Sequence, residues 1–293
     1  MSIKFQVFEE DFMKKIVTIQ DISCFGKCSI TVALPIISAM GIECAIIPTS
    51  VLSTHTGGFE GFTFRDLSED IPKIKDHWKK YGLEFDAIYT GYLGSRQQID
   101  YVIDFCKDFK KDGSLLFVDP AMGDKGRLYT GFDADFPSYM AKLCAMADIV
   151  VPNLTEASFM LGLEYTENYD EEYIHSVLKA LCKMGAKKAI LTGVSYDKAT
   201  QGAVLYDSET DLFYSYFNEN IPTSFHGTGD TFASVYIASL THFGDERVAL
   251  EIAVDFTVEC IRATLPEKDT HSYGTNFEGR VSYLLELMKK HEK

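Results

Sequence analysis

The chain has 293 residues, with 28 Lys and Arg against 43 Asp and Glu, a net charge of −15. Hydrophobic residues at 46% and charged residues at 24% exclude a disordered chain. The acidic balance argues against nucleic acid or an anionic membrane as partner, and any anion site must be built locally from helix N-termini, glycine loops or bound cations.

Residues 1–13 lack the apolar centre of a signal peptide and read as an extension before a single domain over 14–293. No apolar run reaches the roughly 18–20 residues of a membrane span. The cysteines (Cys24, Cys28, Cys44, Cys106, Cys144, Cys182, Cys260) are odd in number and form no CxxC pair. They are expected to be reduced thiols, most of them buried, in a cytoplasmic protein.

In chain order, residues 14–20 predict a buried strand, 28–40 a helix ended by Gly41 with Pro35 inside it, and 43–49 a second strand. A strand over 86–92, a helix over 96–110 and a strand over 114–120 follow. Residues 147–153 predict a strand running into a helix from 154. Then come a helix over 170–184, a strand over 187–193 and an antiparallel pair at 202–207 and 212–217. Two apolar helices are predicted over 229–243 and 246–263, and a last one over 276–290. Charge runs near 66–80 and 167–172 read as solvated faces. Strands alternating with helices of 10–15 residues mean βαβ units and a mainly parallel sheet. In such sheets ligands bind beyond the carboxyl ends of the strands, so the polar residues just after each strand are the candidates.

The sharpest of these is HGTGD at 226–230, followed at once by an apolar helix. Gly227, Thr228 and Gly229 open a helix N-terminus, which offers unpaired N–H groups and a positive dipole end to a phosphoryl group. Asp230 in that first turn is placed to take a proton from an attacking hydroxyl. The same residues also suit a glycine turn with an Asp cap. Asp119 and Asp124, after 114–120, offer oxygen ligands for Mg²⁺ or serve a turn. Lys125 and Arg127 suggest a mobile basic loop over phosphates, or a solvated one. Asn153 and Glu156 share one face of a first helical turn, as a magnesium–water organiser or as a capping box. His55 and Thr56, in the glycine-flanked loop after the second strand, suit a polar small ligand. Asp21 closes the first strand, where its carboxylate can accept from a ring nitrogen or hydroxyl. Neither GxxxxGK[ST] nor GxGxxG occurs.

IQD at 19–21, LSTHTG at 52–57, TGYLGS at 90–95, VDPAMGD at 118–124, VPNLTEA at 151–157 and HGTGD at 226–230 together resemble the ribokinase-like superfamily, in its pyridoxal/pyridoxamine kinase branch. The resemblance runs from about Lys14 to the last helix. It implies a three-layer α/β/α sandwich with a central, mostly parallel sheet, usually a homodimer, using ATP, Mg²⁺ and often a monovalent cation (K⁺ or Na⁺). It further implies Asp230 as the base for the 5′-hydroxymethyl group of a B6 vitamer, with Gly227, Thr228 and Gly229 as anion hole. Asp119, Asp124, Thr192 and Gly193 then lie near the ATP phosphates, Asn153 and Glu156 near the metal, and Asp21, Thr56 and Tyr92 around the pyridine ring. Two departures stand out. Asp21 replaces a common Ser, which favours a cationic partner such as the amine of pyridoxamine. Residues 26–30, GKCSI, replace a Gly-x-Val-Gly-Asn run. The alternatives are a hydroxymethylpyrimidine or sugar kinase of the same fold, and a non-catalytic nucleotide or vitamer sensor.

Overall fold

The computed structural model describes residues 13–266 and 273–292, so the expected N-terminal extension lies, apart from Met13, outside the described residues. The strands are β1 (Lys15–Ser23), β2 (Glu43–Leu52), β3 (Phe64–Asp66), β4 (Ala87–Thr90), β5 (Leu115–Val118), β6 (Gly123–Asp124), β7 (Arg127–Leu128), β8 (Ile149–Val150), β9 (Lys188–Val194), β10 (Thr200–Asp207) and β11 (Leu212–Glu219). The helices are α1 (Ile30–Ala39), α2 (Ile71–Lys80), α3 (Arg96–Phe109), α4 (Phe136–Cys144), α5 (Leu154–Leu161), α6 (Glu171–Met184), α7 (Thr228–Phe243), α8 (Glu246–Thr264) and α9 (Val281–His291).

Nine strands form one sheet in the order β11-β10-β9-β8-β5-β4-β1-β2-β3. The pairs from β9 to β2 are parallel, and β3, β10 and β11 add antiparallel edges. Period-two alternation sends neighbouring side chains into two separate cores. Ala87, Tyr89 and Phe117 pack with α1, α7, α8 and α9, whereas Ile88, Leu116 and Val118 pack with α3, α4, α5 and α6. The expected three layers follow. Strand order reverses at β1, which has β2 on one side and β4 on the other, and this switch opens a crevice at the strands' carboxyl ends.

Several expected elements differ. The 66–80 charge run contains α2, which buries Ile71 fully and packs Ile74 and Trp78 against the core while Lys73, Lys79 and Lys80 face out and Lys75 is covered where it pairs with Asp104 and Asp108 of α3. α4 lies where no element is expected, with Pro137 in its first turn, and buries Phe136, Met140, Leu143 and Cys144. The strand expected over 147–153 shrinks to Ile149–Val150, because Pro152 has no N–H for the ladder, although a single bridge joins Asn153 to Thr192. All seven cysteines are free as expected, but only Cys106, Cys144 and Cys260 are buried, and Cys24 is exposed.

Candidate active site

A cavity of about 840 Å³ opens at the carboxyl ends of the parallel strands. That is room for a nucleotide beside a small acceptor. Asp21, His55, Thr56 and Tyr92 enter it from β1 and the segments after β2 and β4. Asp119, Asp124, Lys125, Asn153, Glu156, Thr192 and Gly193 enter from β5, the β6–β7 hairpin, α5 and β9. Gly227, Thr228, Gly229 and Asp230 come in on the first turn of α7. Arg127 is the exception: it is exposed on β7, pairs by backbone with Asp124, and does not line the cavity.

The start of α7 is built by two glycines with different needs. Gly227 holds φ +76°, and a Cβ there would stand 1.9 Å from the Lys27 carbonyl oxygen, so the chain after β1 and the helix start touch backbone to backbone. A Cβ on Gly229 would meet nothing within 4 Å. No side chain caps α7, so its first-turn N–H groups face the cavity without a protein cap. Burial, with the charge of Asp21, pushes the Asp230 carboxyl up to about 6, against a hydrogen bond from the Ser29 amide. Ser29 itself sits at φ 55°, ψ −130°, a conformation that suits glycine. It is one of the residues in which this chain departs from the Gly-x-Val-Gly-Asn run.

The Asn153 and Glu156 pair forms the capping box. Asn153 accepts from the Glu156 amide at 3.0 Å, and Glu156 accepts from the Asn153 amide at 2.9 Å. Glu156, only 3% exposed, also accepts from the amides of Met122 at 3.0 Å and Gly123 at 3.4 Å. Burial still lifts it to about 7, against those three amides, with Asp124 adding repulsion. Asp119 is 8% exposed, and burial, then Glu156 and Asp230, hold it well above the usual carboxylate range.

The basic loop, expected either mobile over phosphates or solvated, is tied to its neighbours. Asn153 Nδ2 donates to the Gly123 carbonyl at 2.8 Å, the Gly126 amide donates to Thr155 Oγ1 at 2.9 Å, and the Tyr165 ring lies against Gly126. Lys125, at the tip, reaches the cavity from a backbone at φ 50°. Several lining groups carry no signal in the sequence. Tyr165 comes from a loop with no motif, and Val254 and Val258 come from the middle of α8, where they read as core.

His226 lies against His55 with ring centroids 5.0 Å apart and the planes tilted by 48°. Burial, then the neighbouring His226, lowers His55 to about 4, and burial also lowers His226, so both are neutral at pH 7. The lining holds seven carboxylates (Asp21, Asp119, Asp124, Glu156, Glu167, Glu219, Asp230) against Lys125 as its one Lys or Arg among the described residues. A polyphosphate therefore needs a cation brought with it. No group of three His, Cys, Asp or Glu is set to chelate a metal among the described residues, and Glu156 is committed to backbone amides. The oxygens of Asp119, Asp124 and Asn153 suit instead a hydrated Mg²⁺ completed by phosphates, the habit of that ion.

Residues 18–274 match the family described as phosphomethylpyrimidine kinase. The chain belongs to that family. It is an ATP-dependent phosphotransferase in the pyridoxal kinase branch of the ribokinase-like fold, which sets aside a non-catalytic sensor. It is similar to a Bacteroides thetaiotaomicron protein provisionally assigned as a phosphomethylpyrimidine kinase. In one crystal form the two are 38% identical, with a TM-score of 0.90 over 94% of this chain and 95% of that one. A second form of that protein contains pyridoxal, with a TM-score of 0.88 over 93% and 96% of the two chains. The chain is also similar to pyridoxal kinase from Lactobacillus plantarum, at 30% identity and TM-score 0.86, covering 96% and 99% of the two chains. Among curated relatives, pyridoxal kinase of Dictyostelium discoideum is 26% identical over 269 residues, 85% of this chain and 86% of that one. Among the described residues, no helix is long and apolar enough to cross a membrane.

Proposed function

We propose that this chain transfers the γ-phosphoryl group of ATP to the 5′-hydroxymethyl group of a B6 vitamer. The observation that carries the reading is Asp230, a carboxylate lifted to about 6 beside an uncapped helix start, in a cavity that also receives the ring-side residues. A base poised near neutrality takes the alcohol's proton as its oxygen bonds to phosphorus and the bond to the ADP oxygen breaks. The amides of Gly227, Thr228 and Gly229 face the charge that grows on the transferred group. Gly229 leaves the space that group needs. Thr192 and Gly193 at the end of β9, with Lys125, meet the phosphates from the other side. Asp119, Asp124 and Asn153 would hold a bound Mg²⁺, which would supply charge neutralisation. Tyr92, Thr56 and the neutral His55 offer a flat, partly apolar wall to a planar ring. The homodimer, the cytoplasmic location and the monovalent cation carry over from the branch as part of the same proposal.

A second reading, a hydroxymethylpyrimidine kinase, is favoured by the description of the matching family. It keeps the same base, anion hole and planar ring. The separating experiment is coupled ADP release with ATP and Mg²⁺ on pyridoxal, pyridoxamine, pyridoxine, hydroxymethylpyrimidine and a small sugar panel. Turnover concentrated on the vitamers is expected. Turnover only on the pyrimidine moves the second reading to first place.

A further inference from the structure

The base and the anion hole leave one buried titratable group in the cavity unused. Asp21 lines the cavity and is only 5% exposed. Its carboxylate accepts from Ser23 Oγ at 3.1 Å and from the Ser29 hydroxyl, both neutral donors. No Lys, Arg or His pairs with it among the described residues. The groups that face it are acidic or neutral: Asp230, the Cys28 thiol and the Tyr92 phenol. A carboxylate offers about four acceptor positions, and two hydroxyls leave the others open toward the cavity. A buried charge without a counter-ion is costly, and here a second carboxylate stands beside it. Burial holds the Asp21 carboxyl above the usual carboxylate range, against the hydroxyls of Ser29 and Ser23, and a cationic group on the ligand draws it into its charged form.

We infer that Asp21 is a specificity-determining residue that selects acceptors carrying a protonated aminomethyl group, so that this kinase favours the amine vitamer over the aldehyde and alcohol forms. This rests on the B6-vitamer reading above and deepens it. The lining as a whole, seven carboxylates against one lysine, works in the same direction. A protonated ring nitrogen shares the N–H⁺ chemistry, and the test separates the two sources.

The experiment measures kcat/KM for pyridoxamine, pyridoxal and pyridoxine with wild type, Asp21→Asn and Asp21→Ser. Calorimetric Kd values for pyridoxamine and pyridoxine are taken without ATP. Wild type is expected to prefer pyridoxamine. Removing the charge lowers kcat/KM for pyridoxamine roughly 30-fold more than for pyridoxine, at the lower end of the cost of breaking a buried charge pair. The Kd values follow the same pattern. Turnover of pyridoxine by the variants reports that they are folded. An equal loss on all three vitamers assigns Asp21 to the ring nitrogen and overturns the inference, as does equal wild-type preference that neither variant changes. Wild-type turnover confined to hydroxymethylpyrimidine is a different result, which removes the vitamer reading itself.

Discussion

Gly227 and Gly229 lie two residues apart, and replacing each by alanine is expected to act in opposite directions on stability. In Gly227→Ala the new Cβ stands 1.9 Å from the Lys27 carbonyl oxygen, where ordinary contact begins at 3.4 Å. Either the chain at Lys27 or the start of α7 must retreat by roughly 1.5 Å through a close-packed neighbourhood. The chain at Lys27 is itself held, because its amide donates to the Tyr273 carbonyl at 2.8 Å and its ammonium pairs with Glu278 at 2.7 Å. The left-handed φ of +76° costs an alanine about 1 kcal/mol more. Together these come to about 3 kcal/mol, or a Tm lowered by about 5 °C for a domain of this size. In Gly229→Ala no protein atom opposes the methyl, and alanine restricts the unfolded chain, so stability rises by about 0.5 kcal/mol. Yet the methyl enters the space assigned to the transferred phosphoryl group, so kcat/KM falls by about 100-fold or more. Calorimetric scans and ADP release on both variants provide the check. A Gly227→Ala variant melting within 2 °C of wild type refutes the backbone contact, and a Gly229→Ala variant with wild-type kcat/KM refutes the anion hole.

Three further outcomes are expected. Asp230 must be ionised to act, so kcat/KM falls as pH drops through about 6, and Asp21→Asn, by removing a charge that raises Asp230, moves that limb to lower pH; a limb that stays in place separates the two carboxylates. The folded chain holds the Asp230 proton more tightly than the unfolded chain, whose ordinary value is 3.8. That stability is present below about pH 4 and is lost as pH rises through about 6, so Asp230→Asn gains on wild type by about 2 kcal/mol between pH 4 and 7. Urea melts at the two pH values test this, and a constant difference contradicts it. Ser29→Gly relieves the backbone at φ 55° and gains about 1 kcal/mol, net of one hydroxyl bond to Asp21 and the extra freedom of glycine. The expected Tm is higher by about 1–2 °C, and a lower one shows that the hydroxyl outweighs the strain.

The sequence was informative where local chemistry and tertiary contact agree. The β1, α3, α6, α7 and α8 segments carry apolar patterns that their layers bury, and the observed bounds fall close to the predicted ones. α2 was obscured because IPKIKDHWKK buries few side chains, so its charge dominates its pattern. α4 was obscured by Pro137, which reads as a breaker but sits in the first turn, where a missing N–H costs nothing. The site was legible as a set of strand ends, since turn residues after parallel strands must converge on one edge of the sheet. What the sequence could not separate was role. Asn153 and Glu156 fit both a metal motif and a capping box, and only the three amides converging on Glu156 show how fully the cap claims it. Lys125 and Arg127 look alike in a basic loop, but hairpin pairing turns one into the cavity and the other out. His226 carries no signal of its own beyond the HGTGD run, because its tilted contact with His55 joins loops far apart in the chain.

The central claim is that Asp230 is the base in phosphoryl transfer to a B6 vitamer. The most direct test is initial-rate ADP release with ATP, Mg²⁺ and pyridoxamine for wild type and Asp230→Asn, with the ATP Kd of both measured by calorimetry. The account predicts wild-type turnover, a loss of about 1,000-fold in kcat in the variant, and ATP affinity kept within about threefold. A variant that retains more than about a tenth of wild-type kcat while binding ATP normally would contradict it.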